Sequence, residues 1–269
     1  MTAFPSLFIS HGSPDTAIAD TAAAAFMKRF GETLPKPKAI VVASAHFEVE
    51  GGAAVSADAR PETIHDFGGF DRALYEIRYD APGAPDLAAR IVGDLTAAGF
   101  RAQAVTDRGF DHGTWVPLTL IYPDADIPVV QVSVDPTRDA AYHMRLGQAL
   151  AALREEDILV IGSGSFTHNL GEAFKALRVG ERQAPVPEWV ADFARWMDEK
   201  IRAADIEALK SWRERAPFAV KNHPTDEHLM PLFVAIGAAT GPKAAAFDAE
   251  AIHSSQEFGV LAMDAYAFH

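Results

Sequence analysis

The chain has 269 residues, 49% of them apolar, with a formal charge of −13 at pH 7, ten histidines and no cysteine. That length suits one large α/β domain or two small ones. The missing cysteines exclude disulfides, thiolate metal sites and a cysteine nucleophile, and the acidic balance argues against nucleic-acid binding, which needs a basic footprint.

In chain order, Ser6–Ser10 (SLFIS) is a short apolar strand ending in the turn His11-Gly12-Ser13-Pro14. Thr21–Phe30 is alanine-rich with Phe26, Met27 and Phe30 at helical spacing, which predicts a helix. Lys38–Glu48 (KAIVVASAHFE) carries the β-branched run Ala39–Ala43, the pattern of a strand buried on both faces of a parallel sheet, and leads into His46. Ala53–Ser56 predicts a further strand. The segment Arg60–Tyr79, with Gly68-Gly69 and several aromatics, is a long loop whose apolar rings suit a lid or wall over a site. Pro85–Ala98 is an amphipathic helix stopped by Gly99.

Arg101–Val105 predicts a strand, Trp115–Tyr122 a short helix, Val129–Val134 a strand and Thr137–Leu153 a helix. The strand Ile158–Ile161 ends in Gly162-Ser163-Gly164-Ser165-Phe166-Thr167-His168. That stretch lacks the spacing of a dinucleotide fingerprint, the lysine of a phosphate loop and the G-x-S-x-G of a nucleophile elbow. Its glycines predict a sharp turn and close backbone approach. Val186–Ala204 and Ile206–Arg213 read as charged helices. Thr225 is a candidate N-cap for the apolar helix Leu229–Ala239, and Val260–Phe268 closes the chain as a strand. No repeat or linker interrupts this order. The expected fold is α/β, one domain over residues 1–269, with a mostly parallel or mixed central sheet and helices on both faces. No apolar run is long enough for a membrane span and the N-terminus has no basic n-region, so a cytoplasmic protein without membrane contact is expected.

His11, His46, His168 and His228 fall at predicted strand ends or helix starts, and His112 sits in a glycine-flanked loop. Ligands of open α/β sheets gather outside the carboxyl ends of the strands, and neutral imidazole is a common ligand for zinc and iron. Separate strand ends therefore point to a metal site assembled at one edge of the sheet. Asp111 and Glu48 are candidates to orient ligands from behind. His223 stays unassigned, and His143, His253 and His269 read as surface or core residues.

Six motifs occur in order: HGSP at His11, SAHFE at His46, TIHDFGGF at His65, GFDHGTWVPL at His112, SGSFTHNL at His168 and PTDEHLMPL at His228. Together they resemble the class III extradiol ring-cleavage dioxygenases, in particular the 4,5-DOPA dioxygenase-like subgroup, over nearly the whole chain. The resemblance implies a non-haem metal enzyme that opens a catechol-type ring with dioxygen. It implies His11, His46 and His228 as metal ligands, with Glu227 the competitor of His228 for the third place. It implies His168 as acid–base group, His112 as a donor to oxygen or substrate, and His65, Phe67 and Phe70 as substrate-pocket residues. Iron(II) is the metal expected for activity, and zinc(II) suits an all-histidine site as well. The implied partners are a small catechol and dioxygen, and a homo-oligomer is left open. Two other readings remain at this stage: a zinc-dependent hydrolase, and a non-enzymatic binding protein like the Memo proteins.

Overall fold

In the computed structural model, which describes residues 3–242 and 247–269, four parallel strands form the centre of an eight-stranded mixed sheet. The strands are β1 (Ser6–Ser10), β2 (Ala39–Glu48), β3 (Ala53–Ser56), β4 (Ala102–Val105), β5 (Val129–Val134), β6 (Ile158–Gly164), β7 (Ala249–His253), β8 (Gln256–Glu257), β9 (Leu261–Ala262) and β10 (Ala265–Phe268). The sheet order is β4-β3-β5-β2-β6-β1-β10-β7, and β8 pairs with β9 in a separate hairpin. β5, β2, β6 and β1 run parallel, while β10 pairs antiparallel with β1 and with β7. β3 runs parallel to β4 and antiparallel to β5.

The helices are α1 (Ala22–Thr33), α2 (Pro85–Ala97), α3 (His112–Ile121), α4 (Ala140–Leu150), α5 (Leu170–Arg178), α6 (Glu188–Arg202), α7 (Ile206–Lys210), α8 (Trp212–Arg215), α9 (Ala219–Asn222) and α10 (Met230–Thr240). Alternation along the strands divides them into two layers. Leu7, Ile9, Ile40, Val42, Leu159 and Ile161 pack with α1 and α3 on one face. Val41, Ala43, Val130, Val132 and Val160 pack with α2, α4 and α10 on the other. Beyond β1, Phe8, Tyr266 and Phe268 join α10 to the layer of α6 to α9. Both faces of the central strands are covered, as their unbroken apolar runs require.

Several elements differ from the sequence reading. β2 runs on to Glu48, so His46 lies within the strand, where its register with β5 shifts between Ser44 and Glu48. β6 runs on to Gly164, so Gly162 and Gly164 are strand residues and not a turn. The close approach is present: a Cβ on Gly162 would lie 2.0 Å from the Pro231 carbonyl oxygen, and one on Gly164 2.2 Å from that of His228. The predicted Thr137–Leu153 helix begins at Ala140 because Asp139 caps it, and beyond Leu150 it tightens into a 3₁₀ turn over Ala151–Glu156. The predicted Ile206–Arg213 helix breaks at Ser211 into α7 and α8.

Thr225 is not the N-cap of α10. That place falls to Leu229, and the Thr225 hydroxyl bonds Glu227 instead. The predicted Val260–Phe268 strand is divided between β9 and β10. At the corner between them the Met263 amide turns to the Ser255 carbonyl and the Asp264 carbonyl accepts from Ser10 Oγ. The sequence reading did not anticipate α5, α9, β7 or β8. For α5 a signal existed: Asn169 caps the Glu172 amide, and Leu170, Ala173, Phe174 and Leu177 follow at helical spacing.

Candidate metal centre and its cavity

Three imidazoles meet where the parallel strands end. His11 follows β1 directly, and its amide extends the ladder to the Gly164 carbonyl. His46 is held through its backbone: its amide donates to Ser44 Oγ, and Arg108 donates to its carbonyl at 3.0 Å. His228 ends the turn before α10, and its carbonyl accepts from the Ser165 amide at 2.8 Å. The Nε2 atom of His46 lies 3.1 Å from that of His11 and 3.2 Å from that of His228.

The outer nitrogens decide what these Nε2 atoms present. Ser163 Oγ donates to the Gly113 carbonyl, so it accepts from His11 Nδ1 at 3.0 Å. His228 Nδ1 donates to the Glu227 carboxylate at 2.8 Å. With the proton on Nδ1, both rings turn a bare Nε2 lone pair inward. Burial foremost, then the neighbouring histidines, pushes His11 and His228 well below the usual histidine range. Burial and His112 bring His46 to about 3, against an opposing pull from Asp66. Converging lone pairs on neutral rings repel one another unless a cation sits between them. Donor atoms 3.1 and 3.2 Å apart also match the edge of a coordination polyhedron with bonds of ~2.0–2.1 Å to nitrogen. The residues therefore fit a divalent metal held by imidazole.

Glu227 spends an oxygen on the His228 Nδ1 proton, so of the two neighbours it is the histidine whose free lone pair faces His46. Two further donor triples, His46–Asp66–His112 and His168–Glu227–His228, overlap this centre, but Asp66 and Glu227 are engaged by ring N–H groups.

His112 is the first residue of α3, behind the Asp111 cap. Asp66 Oδ1 accepts from both its amide and its Nδ1, at 3.1 and 2.9 Å. Burial works to raise the Asp66 carboxyl, but hydrogen bonds and charge from His112 outweigh it and hold the group at about 2. With Nδ1 held by Asp66, His112 turns its Nε2 edge to the cavity. The sequence reading missed Asp66, although it stands beside His65 in TIHDFGGF. The His168 ring stacks on that of His228, centroids 3.4 Å apart and planes 12° from parallel. Burial first, then His46 and His112, lower it to about 3.

A cavity of about 300 Å³ opens from these five histidines. Phe67, Gly68 and Phe70 of the aromatic loop form one wall. His65 does not join them: its Nε2 lies 3.2 Å from the Ile77 carbonyl, and its ring packs on Phe67, Tyr75 and Trp115. It anchors the loop from within. Facing the loop stand Ala173 and its apolar neighbours on α5, with Phe258 and Leu261 of the β8–β9 hairpin.

Asp111 is fully buried and works on His46 indirectly, accepting from Ser44 Oγ, Arg108 and Gln131. Glu48 is exposed and takes no part in orienting a ring. His223 is buried against Phe193 and Trp212 with Nε2 on the Phe166 carbonyl. His143 ties the Asp135 amide to the Asp139 carbonyl, and His253 stacks on Phe26. Neither lines the cavity.

Residues 5–268 match the family model described as the catalytic LigB subunit of aromatic ring-opening dioxygenase. A Beta vulgaris protein named 4,5-DOPA dioxygenase extradiol is 41% identical over 97% of this chain and 95% of its own length. An Escherichia coli K12 protein of the same name is 38% identical over 97% of this chain and 93% of its own. The crystal structure of an uncharacterized Escherichia coli K12 protein superposes with a TM-score of 0.76 at 32% identity, covering 98% of this chain and 99% of that one. These matches favour the ring-opening reading over the hydrolase and the binding-protein readings. The chain belongs to the family of the catalytic LigB subunit of aromatic ring-opening dioxygenases, and it is an extradiol dioxygenase.

Proposed function

We propose that residues 1–269 act as one catalytic domain in which His11, His46 and His228 hold iron(II), and that a catechol-type ring is opened beside its diol. The observation that carries this reading is the convergence of three Nε2 atoms on the floor of an aromatic-walled cavity, with two further histidines beside them. Iron(II) in that place supplies electron exchange with dioxygen and with the catecholate, whereas zinc would fill the same donors without redox chemistry.

The chain's own residues bind, orient and move protons. His168, neutral near pH 7, takes a proton from a catechol hydroxyl and returns it as the ring opens. His112 offers its Nε2 to the second hydroxyl, its ring fixed by Asp66. Phe67 and Phe70 lie against the flat ring, and the loop keeps water from the reacting atoms. One ring C–C bond breaks, and both oxygen atoms of dioxygen end in an aldehyde and a carboxylic acid.

The test is anaerobic reconstitution with iron(II), then addition of catechols under oxygen. Uptake of one dioxygen per substrate with a new conjugated-semialdehyde absorbance is expected. His168→Ala is expected to keep its iron and lose turnover by roughly 10²–10⁴-fold. Iron-loaded, reduced protein that binds catechols and consumes no oxygen would overturn the reading. A His168→Ala protein that loses its metal would make His168 a ligand.

A further inference from the structure

The outer part of the cavity has a chemistry of its own. Leu170, Phe174 and Leu177 stand at i, i+4 and i+7 on α5, one face of the helix, and all three line the cavity. They are 43%, 46% and 42% exposed. Three large apolar side chains are thus left in water on the wall of a pocket, where covering them gains free energy in proportion to the area removed from solvent. Phe258 and Leu261 continue the same apolar surface.

Charge is distributed the opposite way. Among the described residues no lysine or arginine lines the cavity, and its only carboxylates are Asp15 and Asp66. Behind the rim, the Arg182 guanidinium is divided between Asp15 and Glu257 and lies over the Phe258 ring, 4.7 Å from its centroid. Both sides of its fork are taken, and the trio carries a net negative charge. An anionic substituent entering here would give up water, meet no lysine or arginine and approach two carboxylates. The chain's overall charge of −13 adds to the repulsion. The volume of about 300 Å³ lies at the small end of ligand sites, enough for one ring and a short side chain.

We propose that this dioxygenase disfavours catechols whose ring substituent carries a net negative charge, with Leu170, Phe174 and Leu177 of α5 as the specificity-determining residues. The proposal rests on the ring-opening reading above for the word substrate, while the pocket preference it asserts is a matter of binding.

The test pairs 4-propylcatechol with 3-(3,4-dihydroxyphenyl)propanoate, which share a three-carbon side chain and differ in its charge, with L-DOPA as a third ligand. Calorimetric titration of the zinc-loaded protein reads binding without turnover. It is expected to show 4-propylcatechol binding roughly tenfold or more tightly than the propanoate, with the zwitterionic L-DOPA between them. Oxygen uptake by the iron(II) form should show the same order in kcat/KM, expressed mainly in KM. Leu177→Arg should narrow or invert the ratio, because it puts a free cation on the wall and removes apolar surface. Equal or tighter binding of the propanoate, or a ratio that Leu177→Arg leaves unmoved, overturns the proposal. The expected binding order without oxygen uptake from any catechol would uphold the pocket preference and overturn the ring-opening reading instead.

Discussion

At the scale of single residues, the centre depends on which ring nitrogen carries each proton. Ser163, Glu227 and Asp66 settle that for His11, His228 and His112 by occupying Nδ1. Such partners of a ligand's outer nitrogen fix its orientation and basicity. Asp66 is the one with consequences for proton transfer, since its carboxylate stays ionised across the working pH range. Asp66→Asn keeps the shape but replaces a charged acceptor with an amide that can flip and present N–H to His112. The expected result is a fall in kcat of ten-fold or more, in line with losses of ~10²-fold for a misplaced acid–base group, with metal content unchanged and the pH profile altered. Metal analysis alongside the kinetics checks this. Loss of metal would show instead that Asp66 serves His46, whose Nδ1 lies 3.8 Å from its second oxygen.

At the scale of elements, β6 and α10 fit together only because β6 is bare on the side that meets the helix start. Gly164 lets the His228 carbonyl approach to where the Ser165 amide binds it, and this contact sets the height of the His228 ring. A methyl group there meets backbone, which cannot rotate away. Gly164→Ala is therefore expected to cost about 1–3 kcal/mol in denaturant unfolding and to weaken metal binding, because it pushes on the segment that carries His228, the ligand proposed above. Gly93→Ala is the contrasting case. Gly93 lies inside α2 with nothing within 4 Å of an added Cβ, so alanine should stabilise by ~0.5–1 kcal/mol and leave metal binding alone. Equal behaviour of the two variants would refute the account of β6.

For the whole molecule, pH acts on stability through a buried acid outside the cavity lining. Burial, with a smaller contribution from Asp198, lifts the Asp264 carboxyl to about 7 against a bond from Ser254, and one of its oxygens is buried without a partner. An unfolded aspartate titrates near ~3.9, so the native state binds the proton more tightly. The contribution is fully present below the unfolded value and is lost as pH rises toward 7. Asp264→Asn removes that slope. Denaturant unfolding at pH 5 and pH 8 should show wild type losing more stability across the interval than the variant, and parallel losses would contradict the assignment. Among the described residues no helix is long and apolar enough to cross a membrane.

The sequence by itself determined the elements whose evidence is local. An unbroken β-branched run such as Ala39–Ala43 has to be covered on both faces, and this placed β2 at the centre of a parallel sheet, with a histidine in its last few residues. The ordered histidine motifs carried the family, which the comparisons bear out. What lay beyond a window of a few residues was decided by tertiary structure. His11 and the Ser163 that orients it are 152 positions apart, and His46 and His228 are 182 apart. The resemblance favoured His228 over its neighbour Glu227, and the packing of α10 on β6 turns the histidine to the centre and leaves the carboxylate behind its ring. His65 and Phe67 sit in one motif, yet the Ile77 carbonyl and Trp115 draw His65 inward while Phe67 reaches the cavity. Periodicity records which residues need burial. Where a polar side chain points depends on partners that reach it only once the chain has folded.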